Sequence, residues 1–225
     1  MNMRRWVGVG AVLVVCVVAV TWRFSMVRKG SVVPVKTSVT TTNDAVVPSS
    51  QPDSAAAPVA ANPTIVAPVA DFKARITKKK FGRYITPATS PVQPERFTGY
   101  HTGVDVEYGD VVTDVPVYAA VDATVTMAQW VSGYGGLLVL HGSINGQDRY
   151  VLYGHVRASS LPAVGKIVKQ GSQVGVLGMA YSHETDSERR HLHFAIYAKS
   201  PVDIRGYVQK QSDLSSWEDP LSYYP

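Results

Sequence analysis

Residues 84–225 predict an all-β domain, mainly antiparallel, closed as a sandwich or a partly open barrel. Three observations point there. Short runs rich in β-branched residues recur, each broken by Gly, Asp, Asn or Pro. Turn signals fall between them at Ser132-Gly133, Asn145-Gly146, Gly165 and Gly171. No segment keeps a 3.6-residue apolar period for longer than a turn or two. Strands are therefore expected at 115–120, 123–128, 136–141, 149–154, 166–168, 173–178 and 191–198.

Three segments of different texture precede this domain. Residues 1–30 read as an N-terminal membrane anchor, because 6–22 is an uncharged run bounded by Arg4, Arg5 and Arg23. At about 1.5 Å per residue the run covers roughly 25 Å of hydrocarbon, enough for one transmembrane helix once the flanking arginines snorkel. A signal peptide cut after Ala19-Val20-Thr21 is the rival reading, but bulky Trp22 follows that site and favours an uncleaved anchor. Residues 31–70, built from Val, Thr, Ser, Ala and Pro, predict a disordered linker. As a flexible coil it would span roughly 35 Å, and up to about 120 Å if its prolines extend it. Residues 71–83 carry Lys73, Arg75, Lys78, Lys79, Lys80 and Arg83 and predict a solvated basic stem.

The charge excludes a nucleic-acid partner. The formal net charge of +5 resides in Arg4, Arg5, Arg23, Arg28 and Lys29, and beyond residue 30 the basic and acidic residues balance at 17 each. The flanks of the apolar run are nearly equal in charge, so topology has to follow from what the downstream domain does. The one cysteine, Cys16, lies in the apolar run, cannot form an intramolecular disulfide, and is poorly placed for lipidation after Val15. Nothing in the sequence sets an oligomeric state.

The histidines carry the chemistry. In a strand, residues i and i+2 share a face, so His191 and His193 stand side by side while Leu192 points the other way. Such a pair holds a metal, or sets one ligand beside one base; it is also what two histidines on a half-exposed strand look like. His101-Thr102-Gly103-Val104-Asp105 offers an imidazole and a carboxylate across a glycine turn. One nitrogen, one oxygen and one histidine from the other motif make three protein donors with a fourth position open, the count of a catalytic zinc site. His155 follows Gly154 at the end of an apolar strand, where an imidazole can turn out and move protons.

Taken in order, His101-x-x-x-Asp105, Tyr153-Gly154-His155 and His191-Leu192-His193-Phe194 resemble the lysostaphin or LytM-type zinc metalloendopeptidases that cut peptidoglycan peptides. The likeness covers about residues 81–200 and includes Gly133-Tyr134-Gly135, the 116–119 strand and the 164–171 turn. It implies one Zn2+ held by His101, Asp105 and His193, with His155 and His191 as catalytic histidines. It also implies peptidoglycan peptides as partners, and with the apolar run read as a single-pass helix in the bacterial cell membrane that substrate puts the domain on the extracytoplasmic side. Tyr134 and Arg190 are candidate substrate contacts, with strand-end packing an equal account of Tyr134.

Two departures stand out. Asp114 replaces a family glycine, a place where Asp tolerates positive φ. Glu188-Arg189-Arg190 replaces a small, neutral run ahead of the His-x-His and puts charge on that cleft edge. His141 and His183 match no ligand position and read as structural or loop histidines. The alternative to an enzyme is a non-catalytic wall-binding or activator module. A biotinyl- or lipoyl-like carrier domain is a remote third reading, since no exposed Met-Lys-Met hairpin accompanies the 165–178 turns.

Overall fold

A computed structural model describes residues 65–224. The expected anchor and all but the end of the expected linker lie outside the described residues. Among the described residues, no helix is long and apolar enough to cross a membrane.

The strands are β1 (Tyr84–Ile85), β2 (Gly99–His101), β3 (Val104–Glu107), β4 (Pro116–Tyr118), β5 (Ala123–Val131), β6 (Gly135–Ile144), β7 (Gln147–Val156), β8 (Ile167–Val168), β9 (Gln173–Val176), β10 (His191–Tyr197), β11 (Tyr207–Val208) and β12 (Trp217–Glu218). Every pairing between them is antiparallel. The main sheet has seven strands in the order β12-β10-β7-β6-β5-β8, with β3 beside β12 on the same edge of β10. A three-stranded sheet, β1-β2-β11, and a β4-β9 pair complete the fold.

Each of the seven expected runs contains a strand. The β5, β6 and β7 strands outgrow their apolar runs because hairpin pairing continues to the turns. Asn145 and Gly146, both at positive φ (52° and 76°), close β6 onto β7 in the two-residue turn that matches strand twist. Gly133, Gly165 and Gly171 also take positive φ at the other expected turns. Asp114 is not at positive φ; its carboxylate accepts from Arg157 at 2.9 Å, so its place in the fold is an ion pair rather than a strained turn.

Parity divides the main sheet into two faces. Leu138, Leu140, Val151, Tyr153, Leu192, Phe194 and Ile196 enter the larger core, while Leu137, Val139, Leu152, Ala195 and Tyr197 enter a smaller one on the opposite face. Val104 and Val106 of β3 join the larger core, which sends Asp105 and Glu107 to the other side.

The expected solvated stem is instead part of the packed domain. Ile65, Val69, Phe72 and Ile76 are buried in the larger core, and the Phe72 ring meets Phe194 edge-on at 5.5 Å. The basic residues around them dominate the composition but not the packing. Lys79 goes inside as well, at 1% exposure, paired with the Glu95 carboxylate and donating to the Tyr207 hydroxyl at 2.9 Å. The domain thus reaches back to Ile65, because apolar side chains between the lysines cover core that the strands leave open.

Burial raises the Glu95 carboxyl, but Lys79, the Phe97 backbone amide and Ser90 outweigh it and hold the group below its ordinary value. The contribution of this pair is therefore complete above the unfolded carboxyl pKa of about 4.3 and is lost as pH falls through the lower folded value. Lys79→Met, which leaves Glu95 buried without its cation, should cost about 3 kcal/mol in urea unfolding at pH 7. Lys79→Met combined with Glu95→Leu should recover most of that loss and flatten the acid side of the stability profile; equal losses in both variants would exclude the pair as the cause.

Candidate metal centre

The site is assembled where β10, β3, β7 and β2 meet. His193 sits directly across from Asp105 of β3 on one side and Gly154 of β7 on the other. Strand alternation puts His191 and His193 on the smaller-core face with Asp105 and Glu107. Gly154 leaves room for the Tyr134 ring, since a Cβ there would lie 2.4 Å from Tyr134 Cδ1.

His101 arrives from a different sheet. It ends β2, pairs with Tyr207 of β11, and is pinned by backbone bonds to Arg83 and Gly82. The two-residue step to β3 needs Gly103 for close approach, not for a turn. A Cβ there would meet the Phe194 carbonyl oxygen at 2.4 Å. The 71–83 segment shapes both residues, because the Lys79 carbonyl accepts from Asp105 N–H at 2.9 Å and the Lys80 carbonyl accepts from His101 Nδ1 at 3.3 Å.

Three donor atoms converge. His101 Nε2 lies 3.0 Å from His193 Nδ1 and 3.2 Å from Asp105 Oδ1, and Asp105 Oδ1 lies 3.3 Å from His193 Nδ1. All three residues are buried. Bonds of about 2.0 to 2.1 Å arranged tetrahedrally imply donor separations of about 3.3 Å, so the triangle has the size a zinc ion requires. The chemistry of the set agrees. With Nδ1–H of His101 given to Lys80, its Nε2 lone pair faces the anionic Asp105 Oδ1 at 3.2 Å, two acceptors held together in a buried site, which a shared cation relieves.

His155 reaches the site through a β-bulge. Gly136 pairs with Val156 and Leu137 with Gly154, which leaves His155 as the extra residue of β7, at φ 61°. The insertion breaks the alternation and re-aims the side chain from the larger core to the site face. Its backbone is held from both sides, N–H to Tyr134 and carbonyl from Gly178. Its ring is 4.2 Å from that of His191, and both histidines line one cleft of about 370 Å³ with Asp105, His193 and Tyr134.

Electrostatics keep these imidazoles neutral. Burial lowers the pKa of His155 to about 3, and burial together with the adjacent Arg189 holds His191 well below its usual value. Burial also lowers His193. Burial pushes the Asp105 carboxyl up, but neighbouring imidazoles and Arg189 pull it well below the carboxylate range. The Arg189 part of that pull comes from a permanent charge and persists at neutral pH.

The two candidate substrate contacts fall differently. Tyr134 is buried on the cleft wall, 5.4 Å from the His193 ring and 5.8 Å from the His155 ring, and its hydroxyl donates to the Ile204 carbonyl. Arg190 does not line the cleft. It is on the opposite parity from His191 and His193, and donates to the Val111 carbonyl at 2.7 Å. Arg189, one residue earlier, shares the histidines' face and enters the cleft instead. The sequence carried that signal as i, i+2, i+4 spacing from Arg189 to His193. His141 stacks on Tyr150, and His183 stacks on Trp130 while accepting from its indole N–H, so neither joins the site.

Residues 99–204 match Peptidase family M23. No curated protein matches the chain. Among solved structures, Helicobacter pylori Csd3 is 22% identical over 65% of this chain and 35% of its own, with a TM-score of 0.41. The antimicrobial peptidase lysostaphin from Staphylococcus simulans is 22% identical over 70% of this chain and 53% of its own, with a TM-score of 0.44. The SpoIIQ-SpoIIIAH pore forming complex is 19% identical over 71% of this chain and 89% of that one, with a TM-score of 0.46. This chain spans 35% of Csd3 and 53% of lysostaphin.

The geometry separates two sets of histidines by metal content. His193→Ala and His101→Ala each remove one of three donors, and the purified full-length chain should lose most of its bound zinc. His155→Ala leaves the triangle intact and should stay near one equivalent. Zinc retained in His193→Ala but lost in His155→Ala, by elemental analysis, would reverse the assignment.

Proposed function

From the premise that residues 99–204 are a peptidase family M23 domain, we propose that the chain is a zinc-dependent endopeptidase hydrolysing peptide bonds in peptidoglycan stem peptides or cross-bridges. The observation that carries this reading is the convergence of His101 Nε2, Asp105 Oδ1 and His193 Nδ1 at a cleft lined by two further buried imidazoles. Zinc held by those three residues supplies Lewis acidity for a carbonyl and brings the pKa of water to about 7.

The chain's own groups do the rest. The cleft is of a size to take a short peptide segment, and Phe97, Val131, Tyr134, Ile204 and Tyr207 give it walls that exclude water. His155 donates Nδ1–H to the Thr185 carbonyl, which leaves Nε2 as the proton acceptor. A neutral imidazole of low basicity takes a proton from the attacking water only transiently and passes it readily to the leaving amine. His191 is locked in the same tautomer by the Arg189 carbonyl at 2.9 Å, and its Nε2 stands 3.4 Å from Asp105 Oδ2, beside the carboxylate. From there Nε2 can accept a proton, as a second base beside the carboxylate.

The same reading places residues 1–30 in the bacterial cell membrane as a single-pass anchor, with the N-terminus cytoplasmic and the domain outside, where the wall is. The partner is then peptidoglycan peptide, with no role for nucleic acid.

The full-length chain, incubated with purified sacculi, should release fragments with new peptide termini and intact glycan ends. Chelator should abolish release and Zn2+ restore it, and His155→Ala should slow it about a hundredfold or more. Zinc-loaded protein that binds sacculi yet yields no new termini would replace this reading with the non-catalytic wall-binding or activator module.

A further inference from the structure

Arg189 is a buried cation bonded directly to one of the three donor residues. A guanidinium sits 2.7 Å from a carboxylate that also offers a metal ligand. The two oxygens of Asp105 are divided. Oδ1 belongs to the triangle, at 3.2 Å from His101 Nε2 and 3.3 Å from His193 Nδ1, whereas Oδ2 accepts from Arg189. Arg189 does not need Asp105 for its own pairing. Its Nε lies 3.0 Å and its Nη2 2.7 Å from the Glu107 carboxylate, a two-point clamp, and the other N–H of Nη2 reaches Asp105. The order of residues makes this arrangement rigid. Asp105 and Glu107 stand two apart on the same face of β3, and Arg189 lies two before His191, which pairs with Glu107. At 6% exposure the guanidinium is fixed by burial as well as by its bonds.

We propose that Arg189 is a positioning residue for the metal centre: by holding Oδ2, it makes Asp105 a one-oxygen ligand. This inference rests on the zinc reading of the site. Its physical content is coordination number. A carboxylate binds an ion through one oxygen or two, and a second bond from Oδ2 would occupy space that a three-ligand catalytic site keeps for water and for the substrate carbonyl. Arg189 disfavours that option by bonding Oδ2 and holding it turned toward the guanidinium, while the Glu107 clamp keeps the guanidinium from following the carboxylate toward the ion. Partners of this kind orient the ligands they touch and tune how strongly they donate. Arg189, in a charged run where a small one is expected, therefore acts on the ion's surroundings through Asp105.

Cobalt in place of zinc tests this without relying on turnover, because its visible d–d absorption reports coordination number. In the full-length chain loaded with Co2+, the wild type should give the intense spectrum of a four-coordinate ion. Arg189→Met frees Oδ2, and absorption should fall by about twofold as the ion becomes five-coordinate. Arg189→Lys keeps one donor for Oδ2 and should retain the wild-type spectrum. Because Arg189→Met leaves Glu107 without its partner, the pair Arg189→Met with Glu107→Met provides a version with balanced charge and should show the same spectral change. The proposal is overturned if both Met-containing variants keep the wild-type spectrum, or if Arg189→Lys loses it as fully as Arg189→Met, which would mean that packing rather than the hydrogen bond matters. A wild type that binds no Co2+ would overturn the zinc reading and this inference together, whereas unchanged spectra in metal-loaded variants would remove only the role of Arg189.

Discussion

The alternation of β10 is the constraint from which the rest of the site follows. This strand is buried along its whole length, with β7 on one edge and β3 and β12 on the other. Because each residue must face one of two cores, Leu192, Phe194 and Ile196 fix the strand in the larger one. His191 and His193 are then committed to the other face. A slip of one residue would bury both imidazoles among Val104, Tyr153 and Phe72 and send Phe194 toward the cleft, so the hydrophobic register of the sheet also sets the register of the metal centre.

Burying so many polar groups is costly, and the fold meets that cost by pairing. Arg189 lies between Asp105 and Glu107, and Lys79 lies between Glu95 and the Tyr207 hydroxyl. Each charged residue near the site has an opposite charge or a backbone partner within hydrogen-bonding range. The histidines are handled differently. Backbone carbonyls orient three of them, Lys80 for His101, Thr185 for His155 and Arg189 for His191, and burial lowers the pKa of His155, His191 and His193. The formal charges beside them are those of Asp105, Glu107 and Arg189.

Two departures from regular strand geometry make the chemistry reachable. The bulge in β7 adds His155 beside Gly154 on the face of the metal centre. The tight step from β2 to β3 brings an imidazole from the small sheet over the edge of the large one, and Gly103 allows it by lying against the Phe194 carbonyl. Both are places where a uniform reading of strands fails. The segment at 71–83 is a third. Its lysines suggest solvent, yet its carbonyls orient His101 and Asp105, and its apolar residues close the larger core.

The sequence by itself determined the all-β class, the seven strands with strong β-branched runs, the turns at Asn145-Gly146 and the single glycines, and the pairing of His191 with His193 on one face. These features are local: a period of two and a turn residue's φ are properties of neighbours in the chain. The tertiary structure decided the remainder. β1, β2, β3, β11 and β12 are two to four residues long and hold their shape only through partners far along the chain, so their composition gave no strand signal. The meeting of His101 with His193 joins positions 92 residues apart. The i, i+2, i+4 spacing carried the choice of Arg189 over Arg190, but Arg189 lies ahead of β10, and only the tertiary structure showed that the alternation continues to it. The hold of Arg189 on Asp105 Oδ2 depends on the pairing of β3 with β10, which no local pattern in either strand specifies.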